Sequence, residues 1–451
     1  MSIETRLWWL WNLFDTPQGT VAAAAEVGPD FPRTDFLLIV GSVAQPSTYR
    51  SFLISGCEVV LPDRTVRHGA VLAEGRAIIF AGSEDMLPRK LPDGCKRIPA
   101  PGMRACPALW ETHIHGCGGV STESMTSQSL ARMGQFLAQK GVGAFLPTIV
   151  SDEGHIGALG AALGSSVPGP ASEVPEASEA HVTRSRIPGI HVEGPFVSSA
   201  RRGAIPENLI RAPSVEYLER MMGLSHDTIR VLTIAPELNG SRLVIDRLHL
   251  GGILPSLGHS DASYDSLRSL EGIAPLGVTH LFNGMSGVSH KEPGLAQWAL
   301  LNKEVFTELN CDGTHVHDAA VRLVLQSRPW ERIVAISDAV APAGLPPGQP
   351  VGKLYDRPLE ARGSGLYYAD SGVLVGSRLL IPDGISRLVR EFRVPVASAV
   401  AMATLNPARL LGFSRKGALL AGYDADVALF NQDFTRCSFL SWEGTTLFEG
   451  P

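Results

Sequence analysis

The chain reads as an α/β protein, a (β/α)8 TIM-like barrel joined to a small β-sandwich domain built from both chain ends. Three observations predict this. Between about Cys106 and Leu411, eight short apolar or β-branched runs alternate with helix-like patterns. Polar residues suited to metal binding recur where those runs end, the face on which such barrels assemble their sites. Strand-and-turn patterns also lie on both sides of the barrel stretch.

Taken in order, the 451 residues are enough for one large domain and a smaller companion. Residues 1–50 form an N-terminal extension to which no fold is assigned. It carries LWWLWNLF (Leu7 to Phe14), far shorter than the ~20 residues of a membrane helix. The positive charge before this run is weak and DTPQGT follows it directly, so an interfacial or packing role fits better than a cleaved leader. From Ser51, FLISGCEVVLPDRTVRHGAVLAEGRAIIFAGS alternates short strands with turns, and KGALLAGYDADVALFNQDF adds two more strands near the other end. Residues 51–105 and 412–451 are therefore assigned to one β domain, with the barrel, residues 106–411, inserted between them. The eight barrel runs are PALWETH, GAFLPTIV, IPGIHVEG, IRVLTIAP, ILPSLGH, GVTHLF, VFTELNCDG and RIVAISD. Residues 164–186, rich in Ser, Pro, Ala and Glu, read as a mobile surface insertion.

Composition narrows the function. A formal net charge of -6 argues against a generic nucleic-acid binder but leaves room for a local basic pocket. The six cysteines are scattered, without a CxxC pair, which fits reduced thiols in a cytoplasmic protein. No stretch is long and apolar enough to span a membrane.

The site is announced by His113 and His115 in CPALWETHIHGCGG. Residues i and i+2 of a strand face the same way, so both imidazoles can reach one ion. Glu193 in GIHVEGP, His259 in LGHSDA, His280 in THLFNGM and Asp338 in AISDAV stand at the ends of later runs. Imidazole and carboxylate donors suit a divalent ion such as zinc, iron or manganese, and a carboxylate outside the ligand set can act as general base. An isolated HxH, or an isolated Asp able to cap a helix, would not carry this reading.

HIHGCGG, GIHVEGPFVSSARRGA, LGHSDA, THLFNGM, KEPGLA, CDGTH, SDAVAPAG, LVGS, ATLNPARLLG and GYDADVALFN together resemble the N-acetylglucosamine-6-phosphate deacetylase family of the amidohydrolase superfamily, across roughly Ser51 to Glu449. The resemblance implies hydrolysis of the acetamide of N-acetylglucosamine 6-phosphate to glucosamine 6-phosphate and acetate. It also implies one or two divalent ions, with Glu193, His259 and His280 holding the tighter one. His113 and His115 match members with a second ion, and Glu193 is then the bridging carboxylate. Asp338 matches the general acid/base. Ala204, Asn283, the backbone at Gly284, His315, Leu374, Val375 and Gly376 match substrate-contacting positions. Lys291 falls where the family places an arginine that reaches a phosphate from the neighbouring subunit of a homodimer; Lys supplies the charge without the bidentate fork. Ile205 stands where a histidine is usual near the scissile amide, and His191 reads as a strand residue supporting Glu193. Two alternatives remain at this point: an amidohydrolase acting on another N-acyl amine or N-acetylhexosamine phosphate, and a sugar-phosphate-binding homologue impaired by Ile205 and Lys291.

Overall fold

The computed structural model describes residues 51–150, 153–163, 184–346 and 348–450. The tryptophan-rich run and residues 164–183 of the expected insertion lie outside the described residues.

Eight strands form the barrel: β1 (Leu109–Ile114), β2 (Val142–Val150), β3 (Ile190–Glu193), β4 (Ile229–Ile234), β5 (Leu254–Leu257), β6 (Gly277–Val278), β7 (Phe306–Asn310) and β8 (Ile333–Ile336). They pair in sequence order and all run parallel. Each coincides with one of the eight apolar runs. β8 returns to β1 through a parallel bridge between Ala339 and Ile114. There the Asp338 N–H donates to the His113 carbonyl at 3.0 Å and the His115 N–H to the Ala339 carbonyl at 2.7 Å. Helices cover the outside, and the exposed ones turn an apolar stripe inward. In Ser127–Ala138, Leu130, Met133 and Leu137 are buried at helical spacing, and Thr126 with Ser129 forms a capping box at its start.

The barrel interior departs from the apolar filling usual for this fold. Glu111, His113, Thr148, His191, Thr233, Ser256, Thr279 and Glu308 are all buried. Hydrogen bonds link them, as desolvated polar groups require. His191 Nε2 and Thr233 Oγ1 are 2.8 Å apart, Thr233 and Thr279 hydroxyls 2.9 Å, and the Thr279 hydroxyl donates to Ser256 Oγ at 2.7 Å.

The last residues of the expected mobile insertion are packed instead. Ser185 is buried, and its hydroxyl lies 2.9 Å from the Gly134 carbonyl and 2.7 Å from that of Val142. Arg186 bridges to Ala144 of β2. A hydroxyl shared by two buried carbonyls ties this segment to the barrel wall.

Beside the barrel lies an eight-stranded sheet. Ser51–Val60, Thr65–Glu74 and Ala77–Ser83 form an antiparallel meander, and Lys96–Pro99 and Met103–Pro107 run parallel to the first of these strands. Met103–Pro107 then pairs antiparallel with Val427–Asn431, followed by Cys437–Trp442 and Thr445–Glu449. The C-terminal segment thus supplies three strands rather than the two expected. Ser51–Val60 and Cys437–Trp442 are three strand positions apart, about 14 Å on a flat sheet. The Phe52 and Phe439 ring centroids are nevertheless 5.4 Å apart, so the sheet curls until its halves face each other. Ile54, Val71, Ile78, Val427 and Leu429 complete the core between them. Trp110 of β1 packs on Phe413 and Trp442 at 5.1 and 5.6 Å and joins barrel to sheet.

Under that junction Lys416 is buried with Nζ 2.9 Å from Asp424, 3.0 Å from Asp426 and 3.1 Å from Glu443, and 4.1 Å from the Trp442 ring centre. Lys416→Met removes the cation and leaves three carboxylates facing one another. It is expected to cost about 3–5 kcal/mol, read as a lower denaturation midpoint in urea. An unchanged midpoint would show that the cluster does not hold the two units together.

Candidate metal centre

Three strand ends share a backbone device. His259, His280 and Asp338 each lie two residues past β5, β6 and β8, and each has a positive φ, of 47°, 26° and 48°. Non-glycine residues rarely adopt this region, and such strain concentrates at functional sites. Here it turns three side chains from the strand direction over the barrel mouth. Gly284, at φ 54°, leaves room for one of them, because a Cβ there would lie 2.8 Å from His259 Nδ1 and 3.0 Å from the Arg201 carbonyl.

The side chains converge on the Glu193 carboxylate. Its Oε1 is 2.9 Å from His280 Nε2, 3.0 Å from His259 Nε2 and 3.6 Å from His113 Nε2. Its Oε2 is 3.2 Å from His115 Nε2. Asp338 Oδ1 closes the far side, 3.5 Å from His115 Nε2 and 3.7 Å from His113 Nε2. Two donor sets therefore share one carboxylate, His259 and His280 in one and His113 and His115 in the other, with Asp338 facing the second.

These residues fit a metal ion. Ligands held tetrahedrally at ~2.0–2.1 Å lie roughly 3.3 Å apart, and the Nε2 atoms of His259 and His280 are 3.1 Å apart. The second nitrogens fix the tautomers. His259 Nδ1–H donates to the Arg201 carbonyl at 2.9 Å, and His113 Nδ1–H to Glu308 Oε2 at 2.9 Å, leaving each Nε2 lone pair pointed inward. His113 Nε2 is buried without a hydrogen-bond partner. His113, His191 and Glu308 also cluster. Both His191 nitrogens are engaged, however, at 3.1 Å from the Thr112 carbonyl and 2.8 Å from Thr233 Oγ1. Burial and the neighbouring His113 push His191 down to about 4, which keeps it neutral. It braces β1 against β4 instead of supporting Glu193 directly.

Burial alone would raise the carboxyls of Glu193 and Asp338. The imidazoles of His115, His259 and His280 outweigh it at Glu193, as do His113 and His315 at Asp338, holding both well below the ordinary carboxylate range. Behind Asp338, His315 Nε2 lies 3.2 Å from Oδ2, and its Nδ1 lies 2.8 Å from Asp312. Burial would lower His315, but Asp312 and Asp338 raise it to about 9.

A cavity of about 280 Å³ opens above this centre. Ala204, Asn283, Gly284, His315, Leu374 and Val375 line it, together with Ile205. Gly376 is not part of the lining. Its place is to let the strand Leu374–Ser377 pass the Asp338 loop, since a Cβ would lie 2.6 Å from Val340 and 2.8 Å from the Asp338 carbonyl. Lys291 is exposed and outside the lining of its own chain's cavity. Sequence reasoning missed Glu123, Lys353 and Tyr355 in the wall and Glu308 beneath His113. Glu308 carried a signal, an acid inside the apolar run VFTELN; the others lie in segments with no periodic pattern.

The amidohydrolase family model matches residues 369–445. The N-acetylglucosamine-6-phosphate deacetylase of Bacillus subtilis is 32% identical over 386 residues, 85% of this chain and 94% of that one. That of Vibrio furnissii is 32% identical over 75% of this chain and 82% of its own. The N-acetylgalactosamine-6-phosphate deacetylase of Escherichia coli O157:H7 is 33% identical over 68% of this chain and 78% of its own. Among solved structures, the N-acetyl-D-glucosamine-6-phosphate deacetylase of Mycobacterium smegmatis superposes with a TM-score of 0.75 at 25% identity, covering 88% of this chain and 99% of that one. The Thermotoga maritima enzyme gives 0.73 at 26% identity, covering 88% and 100%. With its barrel, its shared carboxylate and these relatives, the chain belongs to the N-acetylglucosamine-6-phosphate deacetylase family of the amidohydrolases.

Proposed function

We propose that this protein is a metal-dependent deacetylase that hydrolyses the acetamide of N-acetylglucosamine 6-phosphate to glucosamine 6-phosphate and acetate, in amino-sugar catabolism. The observation that carries this is the Glu193 carboxylate, engaged by histidines on both oxygens with Asp338 across from it. Divalent ions held there lower the pKa of water and polarise a carbonyl. Both donor sets are complete, so we assign two ions, drawn from zinc, iron or manganese.

Asp338, ionised and facing the cavity, takes the proton of the attacking water and returns it to the departing nitrogen. His315 fixes the other Asp338 oxygen, so that Oδ1 faces the ligand histidines. Asn283 lines the cavity with its side-chain N–H 3.3 Å from the His280 carbonyl, placed to orient the sugar. Glu123, Glu193 and Asp338 are the acidic groups in the wall, which would repel an anionic substrate. Lys353 is the one Lys or Arg lining the cavity among the described residues, and it sits exposed at the rim. We assign it the phosphate. C2 and C6 substituents lie on opposite sides of a hexose ring, which matches a deep reacting centre and a cationic rim. Lys291, exposed on its own chain, is free to face a neighbouring copy in a homodimer. Six unpaired cysteines suit a cytoplasmic location. No helix among the described residues is long and apolar enough to cross a membrane.

A second reading is favoured by the relative named N-acetylgalactosamine-6-phosphate deacetylase. Acetate release measured on both epimers separates the two, the preferred substrate being the one with the higher kcat/KM; release from neither would end the deacetylase reading.

Asp338→Asn is expected to lower kcat about 10²- to 10⁴-fold while elemental analysis finds the same ion content. Undiminished acetate release would rule out the proposed base. Chelation should abolish activity, and adding back zinc, iron or manganese should restore it. The wild type should hold two ions per chain and His115→Ala one, whereas two ions retained in that variant would remove His115 from the ligand set. Lys353→Met is expected to raise KM for the phosphorylated sugar about tenfold and leave that for N-acetylglucosamine unchanged. Equal effects on both sugars would place the phosphate elsewhere.

A further inference from the structure

The segment that follows β8 sends a hairpin into the cavity wall. Lys353 pairs with Pro358 and Leu354 with Arg357, which leaves Tyr355 and Asp356 as a two-residue loop. Both have positive φ, 49° and 60°. Such loops favour Asn-Gly, because the left-handed region is unfavourable for a bulky side chain. A tyrosine at this tip runs against the local preference of the chain, and so short a ladder gives it little support. Contacts outside the hairpin must hold the tip, and with it Lys353, the cation assigned to the phosphate.

The second strand of the hairpin is anchored within its own sheet. Arg357 Nε donates to Asp370 at 2.9 Å, and its guanidinium lies 3.6 Å from the centre of the Tyr368 ring. The tip is anchored to the barrel instead. The Tyr355 ring packs on the cluster of Val150, Val197 and Ile205. Its hydroxyl donates to the Glu123 carboxylate. Burial and that carboxylate push the phenol up, so it keeps the proton it donates. Glu123 is itself fixed. It stands in the single turn Thr122–Ser124, and its Oε1 accepts the Val150 N–H at 3.3 Å. The Thr122 N–H donates to the His115 carbonyl at 2.9 Å, and the Thr122 hydroxyl to that of Thr148 at 2.6 Å. One side-chain hydrogen bond therefore joins the hairpin of Lys353 to a turn built on the backbone of His115.

We propose that Tyr355 is a positioning residue for Lys353: its hydroxyl, latched to Glu123, sets the distance between the cationic rim and the metal centre. The cavity then accepts an anionic end only at a fixed span from the reacting acetamide. A lysine carries a point charge on a flexible stem, so its reach is only as defined as the backbone that bears it. The latch supplies that definition, at the cost of a strained tip. Tyr355 and Glu123 satisfy each other and act on the substrate through Lys353 alone. This rests on the deacetylase reading above and on Lys353 as the cation for the phosphate.

Tyr355→Phe keeps the ring and removes only the oxygen. It is expected to speed amide hydrogen exchange in residues 353–358 about tenfold, the worth of one hydrogen bond. Glu123→Ala should speed the same amides, and the two changes together no further. In the assay, Tyr355→Phe should raise KM for the preferred hexosamine phosphate about fivefold, with kcat and the KM for the unphosphorylated sugar within about twofold of the wild type. Added to Lys353→Met it should raise KM no further, because its effect passes through that lysine. Unchanged exchange would overturn the latch. A KM raised equally for both sugars, or raised again in the Lys353→Met background, would show Tyr355 acting by another route and overturn the positioning role. If the wild type releases acetate from neither hexosamine phosphate, the deacetylase reading fails, and exchange, which needs no substrate, still decides the latch.

Discussion

The seam where β8 closes on β1 is the constraint on which the rest depends. Its backbone bonds run between residues that carry the site: Asp338 donates to His113, and His115 to Ala339. The same ladder continues outward, for Ser377 donates to the Asp338 carbonyl at 2.9 Å and Val340 to that of Ser377 at 3.1 Å. One continuous set of peptide hydrogen bonds therefore holds two histidines of the candidate metal centre, the proposed acid/base and a strand that lines the cavity. Reacting groups displaced by about 1 Å lose on the order of 10²-fold in rate. Building the acid/base and the histidines into one ladder is a direct way to keep that distance.

The polar layer beneath the centre follows from the same demand. Glu308, buried beneath the site, both orients His113 and accepts the His280 N–H at 3.1 Å, so one carboxylate sets two strands. Glu111 accepts from the N–H groups of His113 and Ser337 at 3.2 and 3.3 Å, and burial pushes it up to about 8. Neutral or paired groups of this kind can be enclosed where isolated charges could not. The interior gives up apolar packing for defined imidazole orientations, while the helices and the Trp110 junction supply the apolar contact outside.

The barrel was legible because each strand is a compact apolar run and each candidate ligand stands at the end of one. Strand alternation put His113 and His115 on one face, and the order of the later motifs gave the pair its meaning and named the rest. Other features carried no such mark. The left-handed turns at His259, His280 and Asp338 occur at residues that are not glycine, so nothing in GHS, THL or SDA announces them. Glu308 meets His113 across 195 residues, a contact set by barrel closure rather than by any local pattern. The hairpin tip at Tyr355 contradicts its own turn preference and is settled by tertiary packing. Lys291, exposed and outside the cavity lining of its own chain, could be assigned only by resemblance. The third C-terminal strand, Thr445–Glu449, was passed over because its run is short and half polar.

The curled sheet has a consequence for how the chain is made. Met103–Pro107 finds its antiparallel partner only in Val427–Asn431, and Arg104 hydrogen-bonds to the Gln432 carbonyl 328 residues away. At a synthesis rate of about 5–20 residues per second, that strand edge waits roughly 16 to 66 s on the ribosome before its partner emerges. During this interval it presents open backbone groups to any passing strand. The nascent chain thus depends on the barrel folding around a half-finished sheet, which Val427–Asn431 and the two strands after it complete.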